Sequence, residues 1–214
     1  MNDIKIAKLA NSSPSPSLFG FVEQIHGVRT ELIRKSIHFL IALTPTLASY
    51  NRGWTVAALA SGTLVYAFAE SLRMSGVRVP FVSAITAAAA RERDRDRFVL
   101  GPVTLGLGAM LALLMYPEPA AAVAIYTLAF GDGIASLVGR FFGRIRPSFL
   151  FGKSLEGSAS CFLVVLFVTN GLVGDIRLAL FVALTATLVE ALPLEDYDNI
   201  ALPLSVGLVM TLLS

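Results

Sequence analysis

Long apolar runs alternate with short polar clusters from residue 37 to the last residue, and this pattern predicts an all-α chain that crosses a membrane several times. Seven runs stand out: 37–51, 54–72, 100–116, 119–139, 157–173, 177–193 and 200–214. A span needs roughly 17–25 mainly apolar residues to cross ~30 Å of hydrocarbon. The first, third and last runs lie at or below that range, so they are read as little tilted or as beginning inside flanking polar residues. The expected architecture is a polytopic transmembrane helical bundle. A polar, partly flexible tail over 1–30 precedes a single transmembrane domain over 31–214. The tail contains Asn11-Ser12-Ser13-Pro14-Ser15-Pro16-Ser17 and lacks the pattern of a cleaved signal peptide. Residues 18–36 have the length for a helix lying on the membrane surface.

Composition agrees with the pattern. Of 214 residues, 55% are hydrophobic and 15% charged, against about 25% charged in an ordinary soluble domain; the mean hydropathy is +0.72. The net charge of +2 marks no nucleic-acid partner. The single cysteine, Cys161, lies in an apolar run, so neither an internal disulfide nor a cysteine-based zinc site is expected.

The distribution of charge says more than its sum. If the N-terminus is cytoplasmic, the inside segments are 1–36, 73–99, 140–156 and 194–199, and they carry 15 of the 17 basic residues. Arg52 and Arg177 alone fall outside. Positive residues stay on the cytoplasmic side of short loops, which predicts N-in, C-out. The outer connections are minimal: Asn51-Arg52-Gly53, Tyr116-Pro117-Glu118-Pro119 and Gly174-Asp175-Ile176. The run Arg91-Glu92-Arg93-Asp94-Arg95-Asp96-Arg97, after Ser83–Ala90, alternates in sign and reads as a solvated or membrane-surface helix.

Four polar clusters sit at the predicted cytoplasmic ends of the spans. The first runs from Gly131-Asp132-Gly133 to Gly152-Lys153-Ser154-Leu155-Glu156-Gly157. On a helix over 132–143, Asp132, Ala135, Ser136, Gly139 and Gly143 share one face. That face is a carboxylate followed by a nearly bare strip, open to close helix packing or to a flat ligand. An ionisable residue near the end of an apolar run is a functional candidate. Gly152-Lys153-Ser154 is no P-loop, because Pro147 stands where that motif needs glycine and an apolar run follows. Lys153 still suits phosphate as a point charge. Glu156 suits either a helix N-terminus or a metal or phosphate site.

The second cluster, Glu31, Arg34, Lys35 and His38, lies on one helix face by its spacing. It reads as membrane anchors with an ion pair, or as a site. The third is Glu70 and Arg73, spaced as a local ion pair. The fourth comprises Glu190, Glu195, Asp196, Asp198 and Asn199, followed by Pro203. A helix cap explains one carboxylate there; a hard cation such as magnesium explains four. Carboxylates for a metal and cations for phosphates, gathered beside lipid, are what phosphoryl or nucleotidyl transfer to a lipid requires.

These residues resemble the dolichol kinase type of CTP-using membrane enzymes, which share DxxAxxxGxxxG, eight residues, then KKTxEG. Asp132, Ala135, Gly139, Gly143, Lys153, Glu156 and Gly157 match, with Gly152 and Ser154 replacing lysine and threonine. The similarity extends to Arg34, Lys35 and His38 and to Asp198-Asn199 before Pro203, covering roughly residues 30–210. That group includes dolichol and other polyprenol kinases, phytol kinase and CTP-dependent diacylglycerol kinase. The resemblance implies CTP as phosphate donor, Mg2+, a membrane lipid alcohol as acceptor and an active site on the cytoplasmic side, at the inner membrane in a prokaryote. It implies nucleotide contacts by Asp132, Ala135, Ser136, Gly139, Gly143, Lys153, Ser154, Glu156, Gly157, Arg34 and Lys35. Metal ligation would fall to Asp132, Glu156, Asp198 and Asn199, and catalysis to Asp198, Glu190 and His38. Glu31, Glu70, Arg73 and Asp196 are further candidates.

Phosphatidate cytidylyltransferases carry a similar central segment but end in a histidine- and arginine-bearing motif suited to a phosphate acceptor. This chain has no histidine after His38 and no arginine after Arg177. Its acidic C-terminal cluster suits a neutral alcohol, whose proton a carboxylate can accept. A small transporter fits the span number but not the gathered inside carboxylates.

Overall fold

The computed structural model describes residues 16–77, 79, 86 and 97–214, with side chains from residue 28 onward. The tail before Pro16, Arg78 and the charged run over 91–96 lie outside the described residues. Among those described there are helices and no strands. In chain order they are α1 (Pro16–Leu40), α2 (Thr44–Met74), α3 (Gly101–Met115), α4 (Ala120–Tyr126), α5 (Gly133–Phe141), α6 (Leu155–Val173), α7 (Ile176–Ala191) and α8 (Asp198–Leu213). Short 3-10 turns at Ile41–Leu43, Ser148–Leu150 and Glu195–Tyr197 link some of them, and a π-helical turn, Thr127–Asp132, joins α4 to α5.

Among the described residues, three stretches are long and apolar enough to cross a membrane: Val28–Met74, Ala120–Phe141 and Leu155–Val173. α3 is apolar but shorter. α7 and α8 have 16 residues each, which is about 24 Å of helix and less than the hydrocarbon thickness.

Local chemistry sets the breaks. Asn51 interrupts α2 with extended backbone (φ −159°, ψ 103°), and its side-chain oxygen accepts the Trp54 N–H at 2.9 Å. It therefore acts as the N-cap of 52–74, the role its short polar side chain favours. Arg52 then donates to the carbonyls of Leu113 and Tyr116 at the end of α3. Between α6 and α7, Gly174 takes a left-handed conformation (φ 75°) and Asp175 accepts from the N–H groups of Arg177 and Leu178. A glycine stop followed by an aspartate start turns the chain within two residues.

The helix pair α4–α5 is the centre of the bundle. Ala121, Val123, Ala124, Ile125, Leu128 and Ala129 are completely buried, and a helix buried all round must be surrounded by others. Its alanines let α3, α6 and α8 approach closely. α2 is peripheral: Tyr50, Trp54, Leu64 and Phe68 are exposed, Trp54 by 77%. Water would penalise such a face; lipid does not.

Glu70 and Arg73 form a structural clasp away from the chamber described below. Glu70 is fully buried, accepts from Nη2 and Nε of Arg73 at 2.7 and 2.8 Å, and accepts the Val99 N–H at 2.9 Å. Arg73 also donates to the Arg97 carbonyl. The pair thus fastens the end of α2 to the segment entering α3.

Candidate functional site

A chamber of about 390 Å³ opens at one end of the bundle. Three of the four polar clusters meet on its wall. Glu31 and Arg34 come from α1; Asp132, Ala135, Ser136, Gly139 and Arg140 from the π turn and α5; Arg146, Gly152, Lys153, Ser154 and Gly157 from the following loop and α6; Glu190, Glu195 and Asp198 from the α7–α8 connection.

Asp132 sits at the bottom between Lys35 and His38 of α1. Lys35 Nζ donates to its Oδ2 at 2.5 Å, and His38 Nε2 lies 3.2 Å from the same oxygen. Lys35 is only 2% exposed. Burying an ammonium without a partner of this kind is costly. Both contacts use Oδ2; Oδ1 takes no hydrogen bond from the described residues. Above it, the hydroxyl of Ser136 donates to Glu31 Oε1 at 2.7 Å, and Arg34 Nη2 donates to the same oxygen at 2.9 Å. Arg34 Nε is a buried donor with no acceptor among the described residues. Unmet buried donors of this kind are costly without an incoming acceptor.

The opposite wall is built by the loop between α5 and α6. Glu156 accepts the N–H groups of Arg144 and Ile145 at 3.0 and 3.2 Å, and Arg146 donates to the carbonyls of Gly152 and Gly139. Gly152 has φ 89°, a backbone conformation natural to glycine and strained for the lysine of the related motif. Ser154 caps α6 by accepting the Gly157 N–H. The bare strip on α5 is filled by this turn of α6. A Cβ on Gly143 would strike Ser154, and one on Gly157 would meet the Ala135 carbonyl at 2.8 Å. At Gly139 the close approach is thus between helices, although Gly139 also reaches the chamber; α5 ends at Phe141, short of the expected 143, so at Gly143 the approach is between the following loop and Ser154.

The two favoured bases differ in availability. Glu190 is engaged: Lys153 Nζ lies 3.1 Å from its Oε1 and also donates to its backbone carbonyl, and the Ser158 hydroxyl donates to Oε2 at 3.2 Å. Asp198, on the first turn of α8, has no hydrogen bond or ion pair with the described residues. Ser158 was not singled out by the sequence reading. Its signal is the i, i+3, i+4, i+7 series Ser154, Gly157, Ser158, Cys161, all buried on one face of α6. Arg140 and Arg146 were read there only as cytoplasmic charges.

The proposed metal ligands do not converge. Asp132 and Asp198 face the chamber, Glu156 is spent on the loop, and Asn199 donates to Thr104 Oγ1 at 3.0 Å, fastening α8 to α3. Asp196 lies toward Gly101, off the chamber wall. No three histidine, cysteine or carboxylate side chains cluster at metal-binding distance among the described residues. The remaining donors still fit magnesium, which uses one or two carboxylates and completes its shell with phosphate oxygens and water. Asp132 Oδ1 and Asp198 are the carboxylates that would meet such an ion, and Arg34, Arg140, Arg146 and Lys153 on the same wall carry the positive charge that phosphates would need.

Fold and chamber define a membrane-type helical protein with an anion- and cation-compatible site where its apolar helices end. Comparison with known proteins narrows this. The chain is 28% identical over 216 residues to a probable chloroplastic phytol kinase of Triticum aestivum, covering 87% of this chain and 68% of that one. It is 28% identical over 200 residues to a chloroplastic farnesol kinase of Arabidopsis thaliana (83% and 64%). It is 28% identical over 191 residues to a phytol kinase of Synechocystis sp. (84% and 78%). The chain spans about two thirds of the length of these plant relatives. No family model matches it, and no solved structure matches it. Relatives at 26–28% identity over most of the chain are thus named phytol kinase and farnesol kinase, which supports a polyprenol/phytol kinase family.

Proposed function

We propose that this protein is a membrane lipid-alcohol kinase that transfers the terminal phosphate of CTP to the hydroxyl of an isoprenoid-type alcohol. The observation that carries the reading is the meeting of Asp132, Asp198, Lys153 and Arg34, from segments far apart in sequence, in one chamber beside apolar helices. The names of its relatives, phytol and farnesol kinase, support the acceptor class. The motif from Asp132 to Gly157 supports CTP.

In the proposed reaction, Arg34, Arg146 and Lys153 bind the phosphates and orient the terminal group. Magnesium, held by Asp132 Oδ1 together with the nucleotide, would offset charge on the phosphates. The lipid oxygen attacks the γ-phosphorus, the bond from γ-phosphorus to the β,γ-bridging oxygen breaks, and CDP leaves with that bond's electron pair. The hydroxyl proton passes to a carboxylate, for which Asp198 is the available group. With label on the γ-phosphate, the lipid product is expected to become radioactive. Cytidine in the lipid with labelled pyrophosphate released would instead make the protein a cytidylyltransferase.

The reading includes seven spans, an N-in, C-out orientation and a chamber facing the cytoplasm, supported by the split of basic residues. In a Cys161→Ser background, Asn51→Cys and Asp175→Cys are expected to react with an impermeant thiol reagent from outside, and Arg144→Cys only after permeabilisation. The reverse pattern would overturn the orientation.

A further inference from the structure

Asp132 does not sit on a regular helix. It closes the π turn Thr127–Asp132, and the next amide, Gly133 N–H, points back to the Phe130 carbonyl. A π turn adds a residue to the i→i+4 ladder and so shifts everything after it; such turns are frequent at functional sites. Two consecutive residues of α1 clasp this one. His38 Nε2 lies 2.7 Å from the Leu128 carbonyl oxygen, inside the turn. Phe39 stacks on Phe130 with ring centroids 6.0 Å apart and covers Gly133 so closely that a Cβ there would strike its ring.

The chemistry of the first contact is decisive. A carbonyl oxygen only accepts, so at 2.7 Å the hydrogen must be on His38 Nε2. That nitrogen then has no lone pair for a substrate hydroxyl. Its hydrogen points into the backbone of the turn, with Asp132 Oδ2 beside it at 3.2 Å. His38 is also buried and off the chamber wall, one turn of α1 below Arg34. The arrangement serves to hold a helix register, with the ring's proton-bearing nitrogen committed to the turn and not to the chamber.

The geometry points to His38 as a positioning residue: it pins the Leu128 carbonyl, and with Phe39 it fixes the π turn that aims Asp132 into the chamber. This rests on the kinase reading for its kinetic consequence, but the contact itself does not.

Two variants and a spectrum test it. Glutamine places an amide N–H near the position of Nε2; leucine does not. His38→Gln is expected to keep kcat near that of the parent protein. His38→Leu is expected to lose roughly 10–100-fold in kcat, the range for groups that orient a ligand from behind, with the lipid KM unchanged. Equal loss in both variants would make the ring a proton carrier and overturn the proposal. The spectrum is independent of turnover. His26→Gln leaves His38 as the single histidine, and nitrogen-15 NMR of the labelled ring in bilayers should show a protonated, hydrogen-bonded Nε2. An unprotonated Nε2 would overturn the contact whatever the enzyme does. If the parent protein phosphorylates no lipid alcohol, the proposed function fails while the NMR result still decides the role of His38 in the fold.

Discussion

Asp132→Asn is expected to lose at least about 100-fold in turnover, as expected for removing a charge that orients or neutralises transferring phosphates, and also to be markedly less stable in detergent. The second effect comes from Lys35. Lys35 is 2% exposed, and among the described residues its ammonium donates to Asp132 Oδ2. Asparagine keeps the shape and an acceptor oxygen but leaves the positive charge uncompensated. Breaking a buried pair in this way costs about 3–5 kcal/mol. Activity loss in the single variant would therefore mix a missing functional carboxylate with a damaged fold. Asp132→Asn/Lys35→Met separates them. With both charges gone, the thermal midpoint should recover most of its loss, because replacing both partners removes the stranded charge, while turnover stays low. Lys35→Met alone should leave Asp132 buried with the nearby His38 and lose stability too. The measurements are thermal unfolding in detergent and initial rates at saturating lipid. A double variant that regains turnover would show that Asp132 merely neutralises Lys35.

How far the sequence anticipates this arrangement depends on the range of the interaction. Local punctuation is legible. Asn51 and Gly174-Asp175 end and restart helices by capping chemistry that acts over two or three residues. The one-face spacing of Glu31, Arg34, Lys35 and His38 is also legible, since it depends on the helical period alone. Which of the four reach the chamber is not. Arg34 and Glu31 line it, whereas Lys35 and His38 lie below and hold Asp132. That division depends on how α1 crosses α5, which no local period encodes.

The bare face over 132–143 shows a second limit. A 3.6-residue period places Asp132 in line with Ala135, Ser136 and Gly139, and all four do line the chamber. Yet Asp132 belongs to a π turn, whose widened register cannot be read from side-chain identity. Glu156 shows a third. Three residues after Lys153, it looks like a site carboxylate, but it is drawn to the amides of Arg144 and Ile145, twelve and eleven residues earlier. The loop's path decides that, and the path depends on the positive φ of Gly152. The pairing of Glu190 with Lys153 and Ser158 is more distant still.

Asp198→Asn is expected to give the opposite combination to Asp132→Asn: a loss of turnover without a loss of stability. Among the carboxylates of the α7–α8 connection, Glu190 is held by Lys153 and Ser158, and Asp196 lies off the chamber wall. Asp198 reaches the chamber from the first turn of α8 with no hydrogen bond or ion pair from the described residues. Asp132 is its like-charge neighbour. Its charge meets the favourable end of the helix dipole, an effect of about 0.3–1 kcal/mol, and the attraction of Lys35, Lys153 and Arg34 without an ion pair among the described residues. Removing the repulsion from Asp132 offsets that amount, so the thermal midpoint should stay where it is. Turnover should fall by about 100- to 10,000-fold if Asp198 takes the proton of the attacking alcohol. The dependence on magnesium distinguishes its two possible duties. If Asp198 is the base, the variant's apparent magnesium affinity is unchanged and no concentration of the ion restores kcat. If it is a ligand, affinity for the ion falls and excess magnesium restores part of the rate. Glu190→Gln should be milder in turnover, because it acts on the nucleotide only through Lys153, and should raise the nucleotide KM more than it lowers kcat. Parent-like turnover of Asp198→Asn across the magnesium range would remove this carboxylate from the reaction and leave the chamber without an available base on α8.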